Sequence, residues 1–136
     1  MLFSFVWRDM KPANQRVLIV DDDIMVADTL RMIFEQRGYD VRACYSAQEG
    51  LGCALEFRPE LLLCDLIMPG RDGLTLVKDI SRELPDCRIL VLTGFYANLN
   101  AVETHARKMH RPLGIMTKPC LPSDLLREAS AMLATA

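Results

Sequence analysis

Val17-Leu18-Ile19-Val20-Asp21-Asp22-Asp23 decides the reading of this chain: four apolar residues run straight into three acidic ones. Short apolar runs of this kind, bounded by turn residues, read as strands buried on both faces of a parallel sheet. The pattern recurs. Leu61-Leu62-Leu63-Cys64 runs into Asp65, Ile89-Leu90-Val91-Leu92 into Thr93, and Leu113-Gly114-Ile115-Met116-Thr117 into Lys118. Ligands of open α/β sheets gather in the crevice at the carboxyl ends of the strands. Several carboxylates, a hydroxyl and an amine at that edge point to a divalent metal and a phosphoryl group.

Helical patterns alternate with these runs from residue 16 to the end, with the short connections of α/β units. Val26, Leu30, Ile33 and Phe34 repeat at helical spacing, with Gly38 placed to close the helix. Val41, Ala43 and Tyr45 alternate with Arg42 and Cys44, as on a less buried edge strand. Ser46-Ala47-Gln48-Glu49 is a capping box for a helix with Leu51, Ala54 and Leu55 inward, stopped near Pro59. A third helix is predicted from about Asp72 to Leu84, with Leu76, Val77, Ile80 and Leu84 inward and Pro85 ending it. Phe95 to His110 reads as a weaker fourth helix, and Pro112 opens an edge-like fifth strand. Pro122-Ser123-Asp124 starts the last helix, striped by Leu125, Leu126, Ala129, Met132 and Leu133. The expected fold is a flavodoxin-like (βα)5 three-layer sandwich with a parallel sheet of order 2-1-3-4-5. That order puts both edge-like strands at the edges. It also brings Asp21, Asp22 and Asp65 into one crevice, with Thr93 and Lys118 one and two strands away.

Composition is that of an ordinary globular domain: 136 residues, 51% hydrophobic and 25% charged, with a net charge of -2. The charge balance, with no Lys/Arg run, argues against direct nucleic acid binding. The five cysteines are odd in number and form no C-x-x-C pair, which suits a reduced, cytoplasmic protein. Met1 to Trp7 is apolar but lacks a basic start and is too short for a signal peptide or membrane span. Residues 1–15 therefore read as an N-terminal extension to a domain over 16–136, with no membrane association.

Clustered carboxylates raise one another's pKa unless a cation neutralises them. Mg²⁺ does so with one or two carboxylates while keeping room for phosphate oxygens. A Lys supplies a point charge for a phosphoryl oxygen, a Thr hydroxyl donates to another, and a carboxylate can attack phosphorus. Asp23 reads as a helix N-cap rather than a metal ligand. His105 and His110 stand in a polar stretch with no ligand pattern around them, which favours a surface role.

VLIVDDD, LLLCDLIMPGRDG, VLTG and TKP, in that order, resemble the receiver domains of two-component response regulators, chemotaxis regulators among them. The likeness covers about residues 16 to 134. It implies that Asp65 accepts a phosphoryl group from a histidine kinase or histidine phosphotransfer protein. It further implies that Mg²⁺ is held by Asp22 directly, Asp21 through water, Asp65, and the backbone carbonyl of Ile67. Thr93 would hydrogen-bond the acyl phosphate, Lys118 would pair with it, and the Lys118-Pro119 bond would be cis. The chain would then be no turnover enzyme but a phosphoacceptor that promotes its own phosphorylation and dephosphorylation. It would signal through the face formed by helix 4, strand 5 and helix 5, or serve as a phosphorelay intermediate. One departure is plain: receivers usually carry Tyr or Phe three residues before the Lys, and here that residue is Ile115.

Two alternatives stand beside this reading. Asp21-Asp22-Asp23 also resembles the D-x-D opening of haloacid dehalogenase-type phosphatases, with Asp21 as nucleophile and Asp23 as acid/base. That reading leaves Asp65 and its loop unexplained. A phosphorylation-independent pseudo-receiver is compatible with Ile115 but leaves the intact acidic pair, Asp65, Thr93 and Lys118 without a purpose.

Overall fold

The computed structural model describes residues 14–66, 73–94, 103–104, 107–108 and 113–134. Five strands, β1 (Arg16–Val20), β2 (Asp40–Cys44), β3 (Leu61–Asp65), β4 (Arg88–Thr93) and β5 (Leu113–Thr117), form one parallel sheet of order β2-β1-β3-β4-β5. The strands with continuous four-residue apolar runs, β1, β3 and β4, are the central three, as those runs require. Four helices are described: α1 (Ile24–Gln36), α2 (Ala47–Phe57), α3 (Gly73–Glu83) and α4 (Pro122–Leu133). The stretch read as a helix between β4 and β5 lies mostly outside the described residues, although Glu103 and Thr104 are helical.

Side chains alternate across each strand, so the sheet has a separate core on each face. Leu18, Val20, Leu62, Cys64, Ile89 and Val91 pack with Ala54 and Phe57 of α2 and Leu76, Val77 and Ile80 of α3. Val17, Ile19, Leu61, Leu63, Leu90 and Leu92 face the other way, onto Ala27 and Phe34 of α1 and Leu125, Leu126 and Ala129 of α4. These two cores make the expected three layers.

Helix ends follow local chemistry. Asp23 caps α1, its carboxylate accepting from the Met25 and Val26 amides at 3.1 and 3.2 Å. Gly38, at φ +92°, closes the helix. Its amide donates to Glu35 O, and that of Tyr39 to Phe34 O, while the Phe34 and Tyr39 rings meet at 5.5 Å. Ser46 caps α2 by accepting from Glu49 N at 3.2 Å. Helix α3 begins at Gly73 and ends at Glu83, inside the predicted span; its apolar residues face inward as expected.

Two side-chain placements differ from the sequence reading. Strand β2 ends at Cys44, which is buried, so Tyr45 turns outward instead of continuing the inward row; its hydroxyl donates to Asp28 Oδ1 at 2.6 Å. On α2 the buried row is Ala47, Gly50, Ala54 and Phe57, which leaves Leu55 40% exposed. Phe57 is the larger apolar group, and its position in phase with Ala54 and Ala47 sets the helix rotation. None of the five cysteines is in a disulfide. Burial pushes the Cys44 thiol up to about 11 and the Cys87 thiol up to about 12. No helix among the described residues is long and apolar enough to cross a membrane.

Candidate functional site

Parallel strands in register deliver their last residues to one edge. Val20 pairs with Cys64, Asp65 with Leu92, and Thr93 with Thr117, so Asp21, Asp65, Thr93 and Lys118 stand side by side. The ladder continues into the loops that carry them. Asp21 N donates to Cys44 O at 3.1 Å, Leu66 N to Leu92 O at 3.3 Å, and Lys118 N to Thr93 O at 2.9 Å.

Lys118 Nζ lies 3.0 Å from Asp21 Oδ2 and 3.2 Å from Asp65 Oδ2, donating to both. The Asp21 side chain is 3% exposed, that of Asp65 13% and that of Lys118 31%, so solvent screens the Asp21 pair least. Burial alone would lower the Lys118 pKa; hydrogen bonds and charge from Asp21, then Asp65, outweigh it and raise the group above its ordinary value. The lysine is therefore held as a cation between two carboxylates.

Asp22 is exposed, yet one oxygen from each of Asp21, Asp22 and Asp65 lies within 4.8 Å of the others. Three hard oxygen donors at that spacing fit a magnesium-sized cation. Asp23 does not join them: its carboxylate caps α1 while its amide donates to Asp21 Oδ1 at 2.9 Å, helping to fix that side chain. Thr93 is 1% exposed at the end of β4. The Lys118-Pro119 bond is cis, as the resemblance implied. Ile115 is half-buried and packs against the core shared with α2 and α3. Ile67, whose carbonyl was expected among the metal ligands, lies outside the described residues, as do Met68 to Asp72 and both histidines.

Gly73 is a positioning residue whose reason was hidden in the sequence. A Cβ there would lie 2.2 Å from Asp65 O, 2.7 Å from Leu66 Cα and 2.8 Å from Leu66 O. The chain after Asp65 thus returns to touch its own strand end, and Gly73 N donates to Leu66 O at 2.9 Å. Only a residue without a side chain fits that approach. The Gly in the turn motif was visible; its contact with the Asp65 backbone was not.

A model of the response regulator receiver domain matches residues 17–130, and the chain belongs to that family. Among solved structures it is similar to a CheY-like receiver domain protein from Methanospirillum hungatei JF-1, at 29% identity and a TM-score of 0.79. That match covers 88% of this chain and 94% of the other. Chemotaxis protein CheY4 of Vibrio cholerae is 26% identical, with a TM-score of 0.77 and 88% and 99% of the two chains covered. NtrX from Brucella abortus shares the fold at 23% identity and a TM-score of 0.77; the match covers 88% of this chain and 27% of NtrX.

Proposed function

We propose that this chain is the phosphoacceptor of a two-component pathway, with Asp65 taking a phosphoryl group from the phosphohistidine of a kinase or phosphotransfer protein. The observation that carries this is Lys118 Nζ bonded to both Asp21 and Asp65 beside a three-carboxylate cluster. Asp21, Asp22, Asp65 and the Ile67 carbonyl would hold Mg²⁺. When bound, that ion offsets the charge of the carboxylates and of the phosphoryl oxygens.

In the transfer, an Asp65 carboxylate oxygen forms the new O–P bond as the P–N bond to histidine breaks; the ring nitrogen keeps the electron pair. Lys118 moves its ion pair from Asp65 to a phosphoryl oxygen, and the Thr93 hydroxyl donates to another. Positioning and charge neutralisation do most of the catalysis in such a step. The chain acts in this scheme as a self-phosphorylating and self-dephosphorylating switch rather than a turnover enzyme. Residues 16–136 form the receiver and 1–15 an extension, in the cytoplasm. The output face comprises the segment before β5, β5 itself and α4.

Asp23 bears on the phosphatase alternative. That reading needs its carboxylate for acid–base chemistry, whereas it accepts two amides at the start of α1. Incubation with acetyl phosphate and Mg²⁺ tests the proposal by intact mass. A gain of one phosphoryl group that EDTA abolishes is expected. No gain from the wild-type protein would favour the pseudo-receiver.

A further inference from the structure

Cys64 stands between the proposed phosphoacceptor and the start of α3. It lies in β3 directly before Asp65, is fully buried, and pairs in register with Val20 of β1 and Val91 of β4. Neighbouring strands on both sides fix its backbone. Alternation turns its side chain into the core shared with α2 and α3, while Asp65 ends the strand. The Cys64 sulfur lies 3.3 Å from Asp65 O and 4.0 Å from Gly73 O, with the thiol as donor in both contacts. Asp65 O is also the atom nearest the missing Gly73 side chain, 2.2 Å from where a Cβ would stand. One carbonyl is thus held between a thiol on its own strand and the first residue of α3.

We propose that Cys64 is a positioning residue for Asp65, its S–H group donating to the Asp65 carbonyl and bracing the strand end against the start of α3. A buried Cys is ordinarily a small apolar filler, and a filler needs no acceptor. Here two main-chain oxygens from separate elements lie within reach of one thiol hydrogen. The shorter contact takes the hydrogen, and the Gly73 carbonyl dipole adds attraction from further off. An S–H···O bond is weak; its leverage comes from its place. The Asp65 Cα joins the braced carbonyl to the carboxylate, so rotation of that peptide swings Oδ2 relative to Lys118 Nζ, 3.2 Å away. Small displacements of a reacting group are costly in rate.

The effect on transfer rests on the phosphoacceptor reading above, whereas the brace itself does not. Cys64→Ala removes the donor, and Cys64→Ser keeps a donor on a slightly smaller side chain. Labelling by acetyl phosphate and Mg²⁺ is expected to slow by about threefold to tenfold in Cys64→Ala and to return to within about twofold of wild type in Cys64→Ser. The Gly73 amide, which donates to Leu66 O at 2.9 Å, should exchange its hydrogen faster in the alanine protein and at the wild-type rate in the serine protein. In the infrared, the S–H stretching band that disappears in either variant should lie below the frequency of a thiol without an acceptor. Either variant that folds suffices to assign it.

Alanine and serine proteins that label alike, whether at the wild-type rate or equally slowed, overturn the positioning role and leave Cys64 a filler. A band at the frequency of an unbonded thiol overturns the hydrogen bond. If the wild-type protein takes up no phosphoryl group, the phosphoacceptor reading fails, and the infrared band and Gly73 exchange still decide the brace.

Discussion

Replacing Gly73 by Ala inserts one methyl group where backbone atoms already stand at 2.2, 2.7 and 2.8 Å. No side-chain rotation relieves this, because Asp65 O and Leu66 Cα belong to the main chain. Either the start of α3 or the end of β3 must shift, and overpacking of this kind costs about 1–3 kcal/mol. Gly73 is the first residue of α3, so the helix gains little from alanine there. For a domain of this size, 1 kcal/mol corresponds to about 4 °C in Tm, which predicts a fall of about 4–12 °C in a calorimetric scan. Because the displaced atom is the Asp65 carbonyl, the carboxylate also moves relative to Lys118. Labelling by acetyl phosphate should slow by about tenfold to a hundredfold, the penalty for a small misplacement of a reacting group. Gly52→Ala provides the opposite control. Its Cβ would meet nothing within 4 Å on the exposed side of α2, so it should stabilise by about 0.5–1 kcal/mol. A Gly73→Ala protein that melts and labels like the wild type would refute the close approach.

Three other outcomes follow from the same geometry. Asp23→Ala loses the α1 cap and should cost about 1 kcal/mol in urea unfolding, yet still label at Asp65; loss of labelling with the fold intact would revive an acid–base role. Lys118 has a raised folded-state pKa, so its stabilisation of the metal-free protein is complete below the ordinary lysine value and is lost as pH rises through the folded value. The stability gap between wild type and Lys118→Met should therefore narrow above pH 10.5, and urea midpoints that keep a constant gap would contradict the ion pair. Cys87, 4% exposed and pushed up to about 12, should resist iodoacetamide at pH 8 until the protein unfolds, as followed by peptide mass.

Much of this architecture could be read from residues alone because parallel strands buried on both faces leave continuous apolar runs. Where a run stops at Asp21, Asp65, Thr93 or Lys118, the strand stops, and register then aligns these ends without further information. Edge strand β2 was less legible. Alternation with Arg42 and Cys44 puts Val41, Ala43 and Tyr45 on one face, but the chain turns after Cys44, and the Tyr45 hydroxyl finds Asp28 on α1. Hydrophobicity alone places Leu55 inward, whereas Phe57 controls the rotation of α2. Adjacent aspartates carry no mark of which is buried; the difference between Asp21 and Asp22 comes from Lys118 and the Asp23 amide reaching only the first. The Gly73 approach depends on the three-dimensional path of the chain, which no local pattern encodes.

Asp65 is the residue proposed to take the phosphoryl group. Labelling with acetyl phosphate and Mg²⁺, borohydride reduction of the acyl phosphate to homoserine, and peptide sequencing by mass would locate it. Homoserine at position 65, with no labelling of Asp65→Asn, is the predicted result. Homoserine at position 21, retained in Asp65→Asn, would contradict it and move the nucleophile to the first strand.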